Sequence, residues 1–393
     1  MKKVIIIFIV WRFLLFLPLW IGKDIPYRIR YEYTHIFTST LKYHPVDHPL
    51  LYPWANFDGV HYLDIAGNGY KDNGRFFPLY PLLIRGLSAL FGTGKAFGVI
   101  QFFCALFIGN FAFFLAVIFL YKLLRLDFSE KISFWSIIFL ILFPAGFFFA
   151  TVYTEGLFLL FLVLSFYFAR KNKWLLAGIP AMLLSITRPV GLLIIPSLIY
   201  EFIKQKKYLK SNLSFCSSRF AVEASFFIFY FLFFISSGLI LFSYFCYLKW
   251  HDPLYFFHAQ ALVKNSRTVA GFIFPLQTVY RYLKILITVS PKIYEWWIAL
   301  LEFVSFWFAG YLLIVGWLKK IRPSYMIFST LAFIVPTISG TFSALPRYIL
   351  VLFPIFVALA LIKNRLVKII YVIVGVILQF VLLMLFSRGY FIA

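Results

Sequence analysis

The chain has 393 residues, of which 63% are hydrophobic, 22% aromatic and only 13% charged. A compact soluble core cannot bury that much apolar surface, so the composition excludes an ordinary soluble domain. The formal net charge of +23 does not indicate a nucleic-acid partner, because the lysines and arginines lie in short runs between apolar blocks. That distribution is typical of the basic loops of membrane proteins and of attraction to anionic lipid headgroups.

Eleven apolar segments predict an all-α polytopic membrane protein with about 11 transmembrane helices. In chain order they are residues 4–21, 96–121, 132–150, 155–169, 174–187, 190–203, 225–247, 296–318, 325–340, 347–362 and 367–386. The first resembles a signal peptide but lacks a small-residue cleavage site, so we expect an uncleaved span. FPAG, TVYTEG and TRPVG interrupt the middle group, and such breaks are tolerated where the backbone faces protein or a water-filled cavity.

The basic residues predict the orientation of these spans. With a cytoplasmic N-terminus, the short cytoplasmic segments hold about half of the 37 lysines and arginines, as the positive-inside rule requires. The C-terminus then lies outside, together with two long loops, 22–95 and 249–295. The whole chain, 1–393, is expected to form a single integral membrane domain without internal repeats.

The first long loop contains an unusually polar segment, YPWANFDGVHYLDIAGNGYKDNGRFFPLYP, at residues 52–81. Asn56 is a predicted N-cap, and we expect a short helix that runs through Ala66 to glycine stop signals. Further on, Pro78 and Pro81 restrict the backbone and predict a fixed loop that re-enters the membrane surface.

Three polar side chains of the predicted helix share one face, because Asp58, His61 and Tyr62 are spaced at i, i+3 and i+4. An acid in the first turn of a helix is favoured by the helix dipole, which by itself explains Asp58. Its setting among aromatic residues at a membrane interface also suits a desolvated general base. Arg75, which follows the helix, suits either a lipid headgroup or a bound phosphate.

Three further charged residues lie at predicted outer ends of spans. Glu155 stands in TVYTEG, Arg188 directly precedes a proline in TRPVG, and Arg347 follows one in LPRYILVLFP. A helix-start acid and interfacial anchors are the plain interpretations, but an ionisable group beside a break in a span is also a candidate functional residue. Arginine suits a phosphate because its planar guanidinium donates two hydrogen bonds at once and stays charged.

Signals for a metal site are weaker. His251, Asp252 and His258 in the second long loop have no diagnostic spacing, so metal binding is the less favoured interpretation. We expect no cofactor, although the sequence leaves a divalent metal open. The cysteines show no paired spacing and are expected to be small packing residues. They are Cys104, Cys216 and Cys246.

Taken together, these motifs resemble a known family. W-x-x-F-D-G-x-H-Y-L-x-I-A-x-x-G-Y at 54–70 and R-F-F-P-L-Y-P at 75–81 are similar to the membrane mannosyltransferases related to the enzyme that adds the second mannose in GPI-anchor assembly. FPAGFFFATVYTEGLFLL at 143–160, TRPVG at 187–191 and LPRYILVLFP at 345–354 follow in the same order. The chain departs from the family at Phe57, where the family often has tryptophan directly before the acid.

The resemblance implies a GT-C-type multi-span bundle with its active site on the outer face. It also implies a polyprenyl-phosphate sugar donor, often of mannose, and a glycolipid or glycan acceptor. The family's acid corresponds to Asp58, and its arginines correspond to Arg188 and Arg347. We therefore expect inverting transfer of a hexose with Asp58 as general base. The expected substrate-binding residues are His61, Tyr62, Arg75, Glu155, Arg188, Arg347 and Tyr348.

The Phe-, Lys- and Ile-rich composition is typical of a bacterial protein, which predicts a bacterial or archaeal cell membrane with membrane lipid as a further partner. The alternative function is a multi-span transporter or flippase of a lipid-linked or anionic substrate, which would also need buried charges and broken helices. Such transporters often contain inverted repeats, and the sequence shows none.

Overall fold

The computed structural model describes residues 1–28, 48–92, 98–211, 217–260 and 273–392. Parts of both predicted long loops (29–47, 93–97 and 261–272) and Cys216 lie outside the described residues. All regular structure within the described ranges is helical, which agrees with the predicted all-α class.

The α-helices of the described residues follow one another with short connections. In chain order they are α1 Lys2–Leu14, α2 Phe16–Ile21, α3 Asp58–Asn68, α4 Leu79–Ala89, α5 Val99–Leu124, α6 Glu130–Ile141, α7 Glu155–Arg170, α8 Trp174–Thr187, α9 Ile194–Ser211, α10 Ser217–Trp250, α11 Tyr255–His258, α12 Pro275–Thr288, α13 Tyr294–Leu318, α14 Pro323–Thr337, α15 Leu345–Ile349, α16 Phe353–Leu361 and α17 Arg365–Ser387. Short 3₁₀ turns lie at Gly22–Asp24, Tyr52–Ala55, Gly146–Ala150 and Pro189–Leu193.

Five helical stretches of the described residues are long and apolar enough to cross a membrane. They are Lys2–Asp24, Val99–Leu124, Ile228–Trp250, Tyr294–Leu318 and Arg365–Ser387. Two shorter apolar helices, α8 and α14, accompany them. The protein is therefore a helical membrane protein, while the count of eleven crossings and the orientation of the termini stay predictions.

Several predicted spans are divided in the structure. The segment 132–150 consists of α6 and a separate 3₁₀ turn, 190–203 begins in a 3₁₀ turn, and 347–362 divides into α15 and α16. Pro354 lies in the first turn of α16. A backbone N–H at this position would have no acceptor within the helix, so proline is tolerated there. The same missing donor prevents α15 from continuing as one helix through this point.

The helix α7 lies at the centre of the packed core, against α5 and α8. Phe158, Leu162 and Val163 on it are fully buried. Near its start, a Cβ atom on Gly156 would come within 2.6 Å of the carbonyl oxygen of Gly109 on α5. Glycine thus lets the two backbones touch, and this contact fixes the position of the start of α7.

The structure corrects the predicted start of the helix in the first long loop. The N-cap of α3 is Phe57, not Asn56. Asn56 instead donates its side-chain amide to the carbonyl oxygen of Phe386 at 2.8 Å. At the other end, α3 continues to Asn68, two residues beyond the predicted Ala66.

The predicted fixed loop after Arg75 is also wrong, because α4 begins at Leu79. Pro78 is the N-cap of α4 and Pro81 is the third residue of the helix. The N–H groups of a first helical turn have no partner within the helix, so proline is tolerated there. The two prolines therefore start a helix instead of preventing one.

Candidate active site

The backbone before Asp58 has an unusual conformation. Phe57 has φ 59° and ψ −114°, a region that is strained for any residue with a side chain. The hydroxyl of Tyr153 donates to the carbonyl oxygen of Asn56 at 2.9 Å and accepts the N–H of Asp58 at 3.2 Å. These bonds tie the first turn of α3 to the segment before α7, and so fix the position of the Asp58 carboxylate.

Arg347 joins two carboxylates that are far apart in the sequence. Its Nη1 donates to Oδ2 of Asp58 at 2.6 Å, and its Nε lies 3.3 Å from Oε1 of Glu155. Arg347 is carried by the short helix α15, which begins after Ala344 in the left-handed conformation, with φ 61°. The loop geometry before α15 thus determines where the guanidinium reaches.

Aromatic rings surround the Arg347 guanidinium. Its carbon lies 5.2 Å from the ring centroid of Tyr153, 5.7 Å from that of Tyr348 and 5.8 Å from that of Phe148. These distances allow cation–π attraction, which is stronger in a site that excludes water. The rings therefore hold a buried cation in place without neutralising it.

Arg188 approaches Glu155 from the end of α8. A residue before proline is disfavoured in a helix, and Arg188, which precedes Pro189, is extended with φ −156° and ψ 148°. Its Nη2 hydrogen-bonds Oε1 of Glu155, and its Nε donates to Oγ1 of Thr154 at 2.8 Å. The proline thus ends α8 at the point where Arg188 meets the start of α7.

Glu155 is fully buried. Its Oε2 has no hydrogen-bond partner among the described residues. The same holds for Nε of Arg347, whose 3.3 Å contact with Glu155 is an ion pair without hydrogen-bond geometry. Buried polar atoms without partners are rare and costly in folded proteins, and a catalytic or binding role is one of the explanations for them.

Arg75 and His61 lie beside this cluster, and both contact the ring of Phe76. The Arg75 guanidinium carbon lies 4.8 Å from the ring centroid, and the His61 ring stacks on it at 4.7 Å. Arg75 forms no ion pair with a carboxylate of the described residues, yet its charge acts on Asp58. It is a cation near the site that is available to an anionic ligand.

Opposing effects set the pKa of Asp58. Burial raises it, but the charges of Arg347, Arg75 and His61 and the hydrogen bond from Arg347 outweigh burial, so the pKa of Asp58 lies below its ordinary value. Burial is the main cause that lowers the pKa of His61 and raises the pKa of Tyr62 to about 12. At neutral pH the site therefore presents a carboxylate, a neutral imidazole and a neutral phenol.

The structure thus brings the predicted site residues into one region. Asp58, Glu155, Arg188 and Arg347 form one chain of ion pairs, and the charges of Arg188 and Asp58 act on the pKa of Tyr62. Sequence reasoning missed three contributors, Phe148, Tyr153 and Thr154. All three stand in the stretch FFFATVYTEG, which precedes α7 and was already marked by its break in hydrophobicity.

Two of the three weaker candidates for metal ligands contact each other. Nδ1 of His258 lies 2.7 Å from Oδ2 of Asp252, and His251 takes no part in that pair. Across the described ranges, no group of three or more His, Cys, Asp or Glu residues has the arrangement of a metal site. Cys104 and Cys246 are buried and free, as expected for packing residues.

A second charged cluster lies at the other end of α7, about 22 Å from Glu155 at 1.5 Å per helical residue. Arg170 pairs with Asp127 and donates to the hydroxyl of Tyr325 at 2.7 Å. Arg322 binds both oxygens of Glu201, at 2.8 Å and 2.5 Å. This cluster ties together the helix ends on that side of the molecule.

Comparison with known proteins gives one match. The family model described as Mannosyltransferase (PIG-V) matches residues 2–254, well over half of the chain. The matched part contains Asp58, Glu155 and Arg188, and Arg347 reaches the same site from beyond it through its two ion pairs. Neither a curated protein nor a solved structure matches the chain.

Proposed function

Because the chain belongs to the mannosyltransferase (PIG-V) family, we propose that it transfers one mannose from a polyprenyl-phosphate donor to a hydroxyl group of a glycolipid or glycan. The observation that supports this proposal most strongly is the ion-pair chain of Asp58, Arg347, Glu155 and Arg188. It sets one carboxylate, whose Oδ1 makes no hydrogen bond to a described residue, beside several arginines.

The proposed reaction is a single displacement at the anomeric carbon of the sugar. The acceptor oxygen forms a bond to that carbon while the bond to the phosphate oxygen breaks with its electron pair, so the configuration inverts. Asp58 takes the proton of the acceptor hydroxyl. The departing lipid phosphate gains a negative charge, and arginines that bind this charge more tightly as it develops lower the barrier.

We assign the phosphate to Arg347, Arg188 and Arg75. Within the described ranges Arg75 forms no ion pair with a carboxylate, whereas Arg347 and Arg188 are held near each other by the shared carboxylate of Glu155. Guanidinium groups suit a phosphate because they donate paired hydrogen bonds and keep their charge. With this much positive charge, the leaving group needs no divalent cation, and we expect full activity in the presence of a metal chelator.

The resting ion pair also gives a way to couple donor binding to catalysis. Arg347 lowers the pKa of Asp58 and so makes it a weak base. A donor phosphate that pairs with Arg347 weakens this ion pair, and burial then raises the pKa of Asp58. Asp58 thus becomes a stronger base when the donor is present.

The remaining polar side chains suit the hydroxyl groups of a sugar. The hydroxyls of Tyr62 and Tyr348 can donate or accept hydrogen bonds, and His61 is a neutral imidazole on the same face of α3 as Asp58. The polyprenyl tail is proposed to lie between the apolar helices.

We further propose that eleven crossings place the N-terminus in the cytoplasm and the C-terminus and this site outside a bacterial or archaeal cell. The charge distribution supports this orientation. Lys71 and Lys171 are exposed, and the proposed orientation puts Lys71 outside and Lys171 in the cytoplasm. In intact cells a membrane-impermeant maleimide should label Lys71→Cys, and it should label Lys171→Cys only after permeabilisation. The reverse pattern contradicts the orientation.

The function is tested with the purified protein in liposomes, radiolabelled polyprenyl-phosphate mannose as donor and a membrane lipid extract as acceptor source. We expect a new mannosylated product, identified by its mass, and no product from a nucleotide-activated mannose. Movement of the labelled donor across the bilayer without a covalent product would instead support the transporter or flippase alternative. Transfer from the sugar nucleotide would contradict the proposed donor.

A further inference from the structure

The long apolar helix α13 carries a buried carboxylate that the proposed chemistry does not use. Glu302 is 5% exposed, and an ionisable residue within a membrane-crossing helix usually has a functional partner. Its Oε2 accepts a hydrogen bond from the hydroxyl of Tyr282 at 2.5 Å, and its Oε1 accepts the N–H of Ala344 at 3.2 Å. The carboxylate thus binds one side chain of α12 and one backbone group of the loop before α15.

The helix α12 holds the same loop directly. The Tyr282 hydroxyl accepts the N–H of Phe342 at 3.0 Å, and the two rings lie 4.8 Å apart. Arg281 donates to the carbonyl oxygen of Gly340 at 3.1 Å. Together with Glu302, these bonds fix the backbone of residues 340–344.

That backbone is the start of the helix that carries Arg347. Ala344 is the N-cap of α15, and its carbonyl oxygen accepts the N–H of Arg347 at 3.1 Å and of Tyr348 at 3.2 Å. The left-handed conformation of Ala344 is uncommon for alanine and persists only where neighbouring groups hold it. Its N–H is the group that Glu302 binds.

We infer that Glu302 and Tyr282 are positioning residues that hold Ala344 and thereby place the Arg347 guanidinium between Asp58 and Glu155. That Arg347 binds the donor phosphate rests on the proposed function, whereas the way in which residues 340–344 hold Arg347 does not. Displacement of a reacting or binding group by about 1 Å can lower a rate on the order of 100-fold. The ion pairs and ring contacts of the guanidinium itself act together with this backbone support.

The test removes the Tyr282 hydroxyl alone. In Tyr282→Phe we expect kcat/KM for radiolabelled polyprenyl-phosphate mannose to fall about tenfold, with faster amide hydrogen exchange in residues 340–348. Tyr280→Phe is the matched control, because Tyr280 lies on the same helix and is 65% exposed. It should change neither quantity.

Glu302→Ala gives a second comparison, and Glu302→Gln, which keeps an oxygen for the Ala344 N–H, should restore part of the exchange protection. Unchanged exchange in residues 340–348 of both Tyr282→Phe and Glu302→Ala overturns the inference, as does accelerated exchange with unchanged kcat/KM. If the unaltered protein transfers no mannose from this donor, the proposed function fails. The exchange measurement still decides whether the two residues hold the loop.

Discussion

The two ends of α7 carry charged clusters of similar composition that differ in how completely their polar atoms are bonded. At the Arg170 end, Glu201 is saturated. Its Oε2 accepts from Arg322 and Ser324, each at 2.8 Å, and its Oε1 accepts from Gln205 at 2.7 Å and from Arg322. The donors come from the start of α14 and from the next turn of α9, so both carboxylate oxygens of Glu201 are satisfied within the cluster.

At the Glu155 end the bonding is incomplete. Oε2 of Glu155 and Nε of Arg347 have no hydrogen-bond partner among the described residues. Asp58 is partly exposed, with 28% of its side chain accessible, and its Oδ1 accepts no hydrogen bond from any residue that the structure describes. This end of α7 therefore has the capacity to bind a charged ligand.

The difference separates two uses of buried charge. A saturated network fixes the relative positions of helices, and losing one member leaves its partners buried and unpaired. An unsaturated network leaves donors and acceptors for a substrate and for charge that develops during a reaction. Substitutions at the Glu155 end should therefore affect catalysis first, and substitutions at the Arg170 end should affect stability first.

The largest expected effect is that of Arg347→Ala. Loss of the guanidinium removes a proposed phosphate ligand and leaves Asp58 and Glu155 without their shared partner, so we expect transfer to fall about 10³-fold. The measurement is mannose transfer per folded molecule, with folding checked by size-exclusion chromatography. A rate within about tenfold of the unaltered protein would show that Arg347 does not act on the leaving group.

Glu201→Gln should show the opposite pattern. Removing one charge from the saturated cluster leaves Arg322 and Arg170 poorly paired, and we expect a loss of about 3 kcal/mol in the free energy of unfolding. The transfer rate per folded molecule should not change. Thermal unfolding in detergent measures the first quantity, and a large loss of turnover with unchanged stability would reverse the roles of the two clusters.

The contact between α5 and α7 has a smaller expected effect. In Gly156→Ala the new methyl group would meet the carbonyl oxygen of Gly109 at 2.6 Å, which should destabilise the protein by about 1–3 kcal/mol. Gly86→Ala is the matched control, because a Cβ atom there meets nothing within 4 Å. It should stabilise α4 by about 0.5–1 kcal/mol. Equal melting temperatures for the two variants would contradict the close packing of α5 and α7.

The smallest expected effect concerns pH. The pKa of Asp58 in the folded protein lies below its ordinary value. The ion pair with Arg347 therefore stabilises the fold fully above the ordinary pKa, and this stabilisation is lost as the pH falls through the folded pKa. Asp58 should therefore add no acid limb to kcat/KM between about pH 5 and about pH 7. The profile is best measured in His61→Gln, which lacks the neighbouring imidazole. A limb in this range would mean that the free enzyme holds Asp58 with a raised pKa.

Local patterns in the sequence predicted much of this site. The spacing of Asp58, His61 and Tyr62 placed them on one helical face, and the proline after Arg188 marked the end of a helix. Both properties depend only on neighbours in the chain. The family match covers these segments, while the roles of their residues stay predictions.

The remaining features depend on residues that are distant in the sequence. Asn56 has the residue type of an N-cap, but its side-chain amide donates a hydrogen bond to a carbonyl oxygen 330 residues away in the sequence. The Asp58–Arg347 pair spans 289 residues, and Glu302 acts through a loop that periodicity does not describe. Such pairings arise from the packing of whole helices, which no local pattern encodes.

Asp58 is proposed to accept the proton of the acceptor hydroxyl during transfer from a lipid phosphate, and one pair of variants tests this role directly. Asp58→Asn and Asp64→Asn each remove one carboxylate from α3, and Asp64 is buried against Asn68 and Asn73. With radiolabelled polyprenyl-phosphate mannose, Asp58→Asn should lose about 10³-fold in kcat, while Asp64→Asn should retain transfer. Undiminished transfer by correctly inserted Asp58→Asn would show that Asp58 is not the general base.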